Sequence, residues 1–279
     1  MESGNNSSPV SKILPALVFF SGLIALYYLY QYLFGPKTGA SYTLIAKNQA
    51  ANVDEKSPII ITSDKLPVIY EGGEFSISTW IYINNWGIRA GKNKAVFLLS
   101  GPTFDVVRIY IGGSKPNLHV RFHTRSDGAA TSQSAIGSND AQTEDLSTAT
   151  RERVFNDTMM DVNLLDTTSM CDLPEIPMQR WVNITVAANG RTIDVYLDGK
   201  LSRSCVLPTM FRVDTGYSAK LLAYGGFGGQ ISTTTMYDAA LNPEAVYKNY
   251  MAGPEPITTI GDWFSSVFAP GVSISVTSQ

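Results

Sequence analysis

The sequence predicts an all-β protein, an antiparallel two-sheet β-sandwich preceded by one N-terminal transmembrane α-helix. Three observations predict it: a long uncharged segment lies near the N-terminus, many short alternating segments follow, and no amphipathic helical pattern separates them. Strands that no helices separate favour antiparallel sheets over βαβ units. Two packed sheets also protect the edges of so many strands.

Residues 13–34 are the predicted transmembrane helix, and a polar tail at 1–12 precedes them. These 22 residues carry no charge and would rise about 33 Å as a helix, enough to cross a hydrocarbon layer of roughly 30 Å. A cleaved signal peptide would have a shorter apolar stretch, and a buried core helix is rarely apolar on all sides. An uncleaved anchor is therefore favoured, although Lys12 before it and Lys37 after it leave its orientation open.

The sandwich is predicted over residues 65–255, after a linker and first strand region at 35–64. Residues 75–83 alternate, and eight further segments have a strand pattern: 95–100, 106–111, 118–125, 181–188, 192–197, 200–206, 219–226 and 230–237. Asn189-Gly190 predicts a type I′ turn with both residues at positive φ, and Asp198-Gly199 predicts a second tight turn. Residues 181–206 are therefore expected to form a three-stranded meander.

An acidic insertion at 126–175 interrupts the predicted sandwich. It holds ten acidic residues and two basic ones, a local charge of −8. A loop of this length inside a compact domain is usually functional or flexible. Two interpretations stay open: a solvated insertion with a short element inside it, and a surface that binds a partner or an ion.

The two cysteines of the chain, Cys171 and Cys205, are a candidate disulfide. Cys171 precedes the meander and Cys205 lies on its third strand, so two strands and their turns bring the pair back towards each other. Closing a loop of about 35 residues would stabilise the fold by roughly 3–4 kcal/mol in the chain-entropy model. Two buried free thiols are the alternative.

Four polar residues form a candidate face for a ligand or partner: Arg108, His119, Arg121 and His123. The last three alternate along one predicted strand and share a face, while Arg108 lies on the neighbouring strand. One interpretation is a stripe that contacts an anion or a glycan. The other is a plain, solvent-facing side of a sheet.

Three motifs in order resemble the concanavalin A-like, laminin-G-like jelly-roll domains: Phe75-Ser-Ile-Ser-Thr-Trp80, Arg180-Trp-Val-Asn-Ile-Thr-Val186 and Asp194-Val-Tyr-Leu-Asp-Gly-Lys200. Residues 227–232 and 236–244 are similar to that family's closing strand and the short helix after it. The cysteines that flank the last two motifs look most like those of membrane-anchored members encoded by large nucleocytoplasmic DNA viruses. The resemblance implies a jelly-roll topology and, for that subgroup, a virion protein.

No catalytic site is predicted. The glucanases of that family carry a Glu-x-Asp-x-x-Glu pattern on one strand, which this sequence lacks, and it has no Gly-x-Ser-x-Gly nucleophile elbow. No cofactor is predicted. The carboxylates of 126–175 could bind calcium, but their spacing matches no calcium-binding loop. A net charge of −3 without a basic run gives no reason to expect nucleic acid.

The function predicted first is structural. The protein would be a non-enzymatic, single-pass membrane protein of a large DNA virus particle, a minor capsid or membrane-associated component whose sandwich links the membrane to other virion proteins. The alternative is a surface lectin or adhesin that binds glycans, with Trp86, Tyr110 and Tyr217 as candidate aromatic contacts. Fold resemblance by itself is a weak argument for a function.

The C-terminal tail, residues 256–279, is predicted to carry an apolar docking segment. One helical turn would bring four of its side chains together: Trp263, Phe264, Val267 and Phe268. The cluster would either dock into a partner or the membrane interface, or fold back over the sandwich.

If residues 13–34 span a membrane, carbonate extraction should leave the full-length protein in the membrane pellet. A helix held in the hydrocarbon layer is not released when peripheral contacts are broken, since its apolar surface would enter water. Protein in the supernatant, or an N-terminus that begins near Ser41, would instead show that the segment is peripheral or cleaved.

Overall fold

The computed structural model describes residues 18–29, 39–124, 151–152, 155 and 171–255. Residues 18–29 form helix α1, and helix α2 spans Pro243–Ala252. The described residues contain twelve strands: β1 (Ser41–Ile45), β2 (Gln49–Asn52), β3 (Ile59–Ile61), β4 (Glu74–Ile83), β5 (Lys94–Ser100), β6 (Asp105–Ile111), β7 (Leu118–Phe122), β8 (Trp181–Asn189), β9 (Thr192–Leu197), β10 (Lys200–Val206), β11 (Ser218–Leu221) and β12 (Gly226–Tyr237).

Helix α1 belongs to a separate N-terminal unit, residues 1–37. Its apolar side chains are exposed, for example 65% of Val18 and 67% of Tyr28. No helix within the described ranges is both long enough and apolar enough to cross a bilayer. A helix is confirmed over residues 18–29, but a membrane span is not shown. The rest of the predicted segment 13–34, with the polar tail, lies outside the described residues.

The strands form two sheets that pack into a sandwich. Sheet A has the order β1-β12-β4-β8-β9-β10, with β2 also paired to β12, and sheet B has the order β3-β11-β5-β6-β7. The pairs between these strands are antiparallel. The predicted two-sheet sandwich is confirmed, and so is the β8-β9-β10 meander, whose second turn has Asp198 and Gly199 at φ values of 51° and 74°.

The first turn of the meander differs from the prediction by one residue. Asn189 pairs with Thr192, so the two loop residues are Gly190 and Arg191. Of these two, Gly190 alone has a positive φ, of 61°, and Asn189 does not have one. A two-residue loop with glycine first is the arrangement of a type II′ turn. The predicted type I′ turn at Asn189-Gly190 is therefore wrong, because the strand extends through Asn189.

The core lies between the sheets because the strands alternate. Phe75, Ile77 and Ile81 of β4 are completely buried. Phe75 meets Phe122 of sheet B and Phe211, with ring centroids 6.1 and 5.4 Å away. Truncating a buried Phe to Ala costs about 3–5 kcal/mol. This aromatic cluster therefore contributes strongly to holding sheet A against sheet B.

Part of the predicted linker region at 35–64 is built into the sheets. β1 pairs with β12 and β3 pairs with β11, each at the edge of its sheet. Ser41 and Thr43 are exposed on β1, whereas Ile45 is buried in the core. Both strands are short, which limits how far an open edge can pair with another chain.

Helix α2 covers part of the outer face of sheet A. Asn242 caps it by accepting a hydrogen bond from Ala245 N at 2.8 Å. Near the other end of the helix, Tyr250 stacks on Trp80 of β4 with ring centroids 5.6 Å apart. Its apolar contact with the sheet is a small buried cluster made of Ala187, Tyr196, Leu241, Ala245 and Val246.

The predicted disulfide is confirmed. Cys171 is bonded to Cys205, and their Cα atoms are 5.4 Å apart. Cys205 lies on β10, at the edge of sheet A. Leu173 exchanges two backbone hydrogen bonds, of 2.9 and 3.0 Å, with Leu118 of the sheet B edge strand β7. The bridge therefore joins the two sheets along one side of the sandwich.

Removing this disulfide should destabilise the domain. It joins residues 34 positions apart, and the roughly 3–4 kcal/mol expected for such a loop would lower the melting temperature of a Cys171→Ala/Cys205→Ala variant by about 10 °C. Reduced wild-type protein is the matched control and should melt where the variant does. The variant should not respond to reductant. Freely alkylated thiols in the native, unreduced protein would contradict the bridge.

Candidate functional site

The predicted polar face lies on the outer side of sheet B, and it is buried. Arg108 of β6 stands directly opposite Arg121 of β7, and His119 precedes Arg121 on the same face of that strand. His123 lies beyond the end of β7. The four side chains are only 1–8% exposed. The structure thus brings Arg108, His119 and Arg121 together. These residues are buried, whereas both interpretations expected them to be exposed to solvent.

Asp172 is the counter-charge of this face. Its carboxylate lies 2.8 Å from His119 Nδ1, accepts a hydrogen bond from Val120 N at 3.1 Å and accepts another from the Arg121 guanidinium. Burial by itself would raise the pKa of Asp172. The hydrogen bond with His119 and the charge and hydrogen bond of Arg121 together outweigh that effect and hold the pKa below its ordinary value. An ionised Asp172 therefore compensates the charge of Arg121.

A second ion pair lies on the same sheet. Arg151 Nη1 is 3.3 Å from Asp105 Oδ1, and both side chains are almost completely buried. The guanidinium also donates to the carbonyl oxygens of Gly101, at 3.2 Å, and Pro102, at 3.1 Å. Ser100 Oγ donates to the same Asp105 oxygen at 2.6 Å. Arg151 belongs to the predicted insertion, so this part of the insertion is packed against sheet B.

The described residues of the insertion cover the polar face. Phe155 is buried against the rings of Tyr110 and Tyr224, with centroids 5.2 and 4.9 Å away. Of the described insertion residues, Arg151, Phe155, Cys171 and Leu173 are buried, whereas Pro174 and Glu175 are exposed; the rest of 126–175 lies outside the described residues. No group of three or more His, Cys, Asp or Glu side chains that could hold a metal ion occurs within the described residues.

A groove of about 360 Å³ lies on the outer face of sheet A, beside the C-terminal end of α2. Five Ser or Thr side chains, one phenol, one amide and one indole line it, and none of its lining residues is charged. The pleat of the sheet explains the hydroxyl groups, because residues that alternate with the buried apolar ones point outward. The lining groups that matter below are Thr43, Ser78, Trp80, Thr233, Tyr237 and Asn249.

Neighbouring groups orient the polar atoms of this groove. Ser78 Oγ accepts a hydrogen bond from Asn183 Nδ2 at 3.3 Å and lies 3.0 Å from Thr185 Oγ1. Thr185 Oγ1 also donates to Asn183 Oδ1 at 3.1 Å, so these three side chains form one hydrogen-bonded network. Thr233 Oγ1 donates to the carbonyl oxygen of Pro254 at 2.7 Å, which leaves its lone pairs to accept. Thr233 therefore offers the groove a hydrogen-bond acceptor.

The phenol of Tyr237 adds a further donor. Burial raises the pKa of Tyr237, although the hydrogen bond that its oxygen accepts from Asn249 Nδ2, at 2.9 Å, acts in the opposite direction. The group is therefore protonated at neutral pH. Sequence reasoning missed this groove because it followed the inward residues of the strands. The available signal was the run of Ser and Thr at the alternate, outward positions of β4 and β12.

The three aromatic residues predicted as glycan contacts support the fold elsewhere. The Lys94 ammonium lies 4.1 Å from the centroid of the Trp86 ring. Tyr110 is completely buried, and Tyr217 donates a hydrogen bond to the carbonyl oxygen of Pro67 at 2.5 Å. None of the three lines the groove. The predicted docking residues lie outside the described residues: Trp263, Phe264, Val267 and Phe268.

Three exposed apolar residues, Val68, Tyr70 and Met210, lie on two loops that a backbone hydrogen bond joins, and we call these residues the rim patch. These side chains are 67, 71 and 56% exposed. Ile69, between the first two, is buried, so the loop alternates and points Val68 and Tyr70 outward. Gly72 N donates a hydrogen bond of 3.3 Å to the carbonyl oxygen of Phe211, the residue that follows Met210. That bond holds the loop of Tyr70 against the loop of Met210.

Comparisons with known proteins relate the chain to other folds only distantly. No protein-family model matches the chain, and no curated protein does. The receptor-binding domain of botulinum neurotoxin D is similar with a TM-score of 0.45 and 12% identity, over 74% of this chain and 44% of that one. A sialidase of Trypanosoma rangeli is similar with a TM-score of 0.38 and 10% identity, over 65% of this chain and 23% of that one. The chain thus spans less than half the length of these solved structures.

An Asp172→Asn variant should be markedly less stable, because Arg121 would lose its buried counter-charge. Removing one partner of a buried ion pair costs about 3–5 kcal/mol. The lower end is expected here, since the Asp172 side chain is 21% exposed. Because folding lowers the pKa of Asp172, its contribution is complete above the unfolded pKa of about 4 and is lost as the pH falls through the folded value. Urea unfolding at pH 7 and pH 3 should show a smaller difference between wild type and variant at pH 3.

Glu71→Gln is the matched control. Glu71 lies 3.9 Å from Arg212, and these side chains are 54 and 35% exposed. Neutralising such an exposed carboxylate should change the free energy of unfolding by less than about 1 kcal/mol. Two results would contradict the role assigned to Asp172. One is an equal loss of unfolding free energy in both variants, and the other is a loss in Asp172→Asn that does not depend on pH.

Proposed function

We propose that the protein is a non-enzymatic, membrane-anchored structural protein of a viral particle, in which residues 13–34 lie in the membrane and the sandwich binds other particle proteins. The observation that carries the binding role is the rim patch. Apolar side chains that are exposed together on a soluble domain usually mark a site where another protein binds. Tyr and Met are also among the residues enriched at such interfaces.

The membrane anchor is supported by the sequence of the N-terminal unit. Its 22-residue apolar segment has no charge, and the apolar side chains of α1 are exposed. A helix that is apolar all round needs an apolar surrounding, which a bilayer or a bundle of partner helices supplies. The disulfide supports an oxidising compartment or a particle surface as the place where the sandwich resides.

A non-enzymatic role is supported by the way in which the titratable groups of sheet B are used. His119 and Asp172 are the pair most suited to acid–base chemistry, since a general base must reach the proton that it takes up. Both are bound to each other, and His119 is only 4% exposed. Such an arrangement suits a structural hydrogen bond. The viral assignment itself comes from the resemblance of the cysteine-flanked motifs to membrane-anchored jelly-roll proteins of large DNA viruses.

A second candidate function is glycan binding by a surface lectin. The observation that favours it is the uncharged, hydroxyl-lined groove on sheet A. This candidate does not exclude the first, because the groove and the rim patch share no residue. Binding to a particle protein and binding to a sugar would use different surfaces of the same domain.

A Tyr70→Ser/Met210→Ser variant should enter assembled particles less well than the wild type. Exposed substitutions change stability by about 0.5 kcal/mol or less, so its melting temperature should be almost unchanged. Loss of an aromatic residue that is a hot spot of an interface costs about 2 kcal/mol of binding or more, which is a reduction in affinity of about thirtyfold. The measurement is the amount of the full-length variant in purified particles, relative to its amount in the host membranes.

Tyr247→Ser is the control for that experiment. Tyr247 is 51% exposed on α2, away from the rim patch, so this variant should be incorporated like the wild type. Normal incorporation of the rim variant would refute the proposed role of the patch. A protein absent from both particles and membranes would refute the proposed function as a whole.

A further inference from the structure

We propose that the edge strand β10 binds an extended, acidic segment of a partner protein, which adds to sheet A as a further strand. The inference goes beyond the proposed function, because neither the rim patch nor the groove includes a residue of β10. It concerns a second protein-binding surface of the sandwich and the chemistry of the segment that this surface accepts.

β10 is the longest open edge among the described strands. It is the last strand of sheet A and pairs with β9. β10 has seven residues, whereas the edge strands β1 and β3 have five and three. The edge strand β7 is partly occupied, since Leu118 is bridged to Leu173 and Thr124, just beyond the strand, to Phe211. An added strand therefore finds its longest template at β10.

The hydrogen-bond pattern shows which groups of β10 point away from the sheet. Cys205 is paired with β9, and Leu207 N donates to the carbonyl oxygen of Arg191 at 2.8 Å. Alternate residues of an antiparallel strand bond to the same neighbour, so the peptide groups of Ser204 and Val206 point away from β9. Within the described part of the chain, neither residue bonds to another backbone group. Their N–H and C=O groups can therefore bond to an incoming strand.

The side chains along this edge are exposed. Every residue of β10 except Cys205 is exposed, and Leu201 and Val206 are each 54% exposed. Cys205 points into the core, so its neighbours Ser204 and Val206 point to the outer side of sheet A. An added strand would place its own side chains beside these apolar and hydroxyl groups. Apolar and β-branched residues suit such cross-strand positions.

Two basic residues occupy the other side of the strand. Lys200 pairs with Leu197 and Arg203 with Val195, and these two partners alternate along β9 and so share a face. Both basic side chains are exposed. Opposite charges on neighbouring strands stabilise a sheet, whereas like charges destabilise it. The edge therefore favours a strand in which acidic residues alternate with apolar ones.

The same charges disfavour a second copy of this chain as the added strand. Pairing β10 with β10 of another molecule would bring the basic residues of both copies to one side of the joined sheet. The register of β10 also shifts between Leu201 and Arg203. Charges and bulges on an edge strand are devices that prevent identical edges from pairing. The edge thus rejects its own copy and admits a strand of opposite charge.

The test measures peptide binding by the full-length protein in a zwitterionic detergent. The probe is a fluorescently labelled, capped heptapeptide in which valine and glutamate alternate. Fluorescence anisotropy should show saturable binding with a dissociation constant of about 0.1–1 mM, because a short flexible peptide loses entropy when it is ordered. The same peptide with lysine in place of glutamate should bind at least about tenfold more weakly. Added salt should weaken binding of the glutamate peptide.

A matched pair of variants assigns the binding to the backbone of β10. Ser204→Pro removes an N–H that points away from β9, so the ladder between β9 and β10 stays intact. This variant should bind the glutamate peptide at least about tenfold more weakly. Ser204→Ala is the control, because it loses the hydroxyl group but keeps the N–H, and it should bind like the wild type.

A charge-reversed variant assigns the selectivity. Lys200→Glu/Arg203→Glu should reverse the preference, so that the lysine peptide binds at least about tenfold more tightly than the glutamate peptide. Reversal is a gain of binding, which a variant that merely fails to fold does not show.

Three results would overturn the inference. The first is the absence of saturable binding of the glutamate peptide. The second is binding that Ser204→Pro leaves intact while its melting temperature matches the wild type. The third is a concentration-dependent dimer of the wild type that Ser204→Pro abolishes, which would assign the edge to a second copy. If Ser204→Pro does not fold, the charge-reversed variant decides the question. Incorporation of the rim variant tests a different surface, so failure here and failure of the proposed function are distinguishable.

Discussion

The disulfide between Cys171 and Cys205 holds a short segment, residues 171–173, against both sheets at once. Cys171 is bonded to β10 at the edge of sheet A, and Leu173 is paired to β7 at the edge of sheet B. Asp172, between them, reaches the outer face of sheet B and binds His119 and Arg121. Closure of the sandwich and neutralisation of its basic face therefore depend on one covalent restraint. Without it, the entropy of an open loop would compete with both.

This arrangement also gives Asp172 of the insertion a structural role. Arg108 and Arg121 stand directly opposite each other on neighbouring strands, and like charges in that position destabilise a sheet. An apolar segment that covered them would bury these charges away from water without a counter-charge, which is energetically costly. An acidic residue of the insertion can cover and compensate them. Asp172 does so for Arg121, while Arg151 pairs with Asp105 of the sheet.

The strands and the core could be predicted from the sequence, because alternation is local information. The alternation of β4 predicts its buried side, which holds Phe75, Ile77 and Ile81. The positions of the two cysteines around the meander predict their disulfide. The burial of His119 and Arg121 could not be predicted, since alternation assigns a residue to a face without saying whether another segment covers that face. The groove was missed for a related reason. It exists because α2 ends where it does over β4 and β12, which is a long-range consequence of the fold.

The two outer faces of the sandwich are closed in different ways, and the difference bears on what each can bind. Over sheet B, the described part of the insertion places side chains of opposite charge in contact, so a ligand would have to displace ion pairs before binding. Over sheet A, α2 makes its apolar contact at Ala187 and Tyr196 and leaves a neutral gap beside Trp80. No ion pair needs to break there, because none of the lining residues is charged. The free-energy cost of breaking ion pairs therefore makes the outer face of sheet A more favourable than that of sheet B for reversible binding of a small ligand. The sequence had drawn attention to the charged residues of sheet B instead.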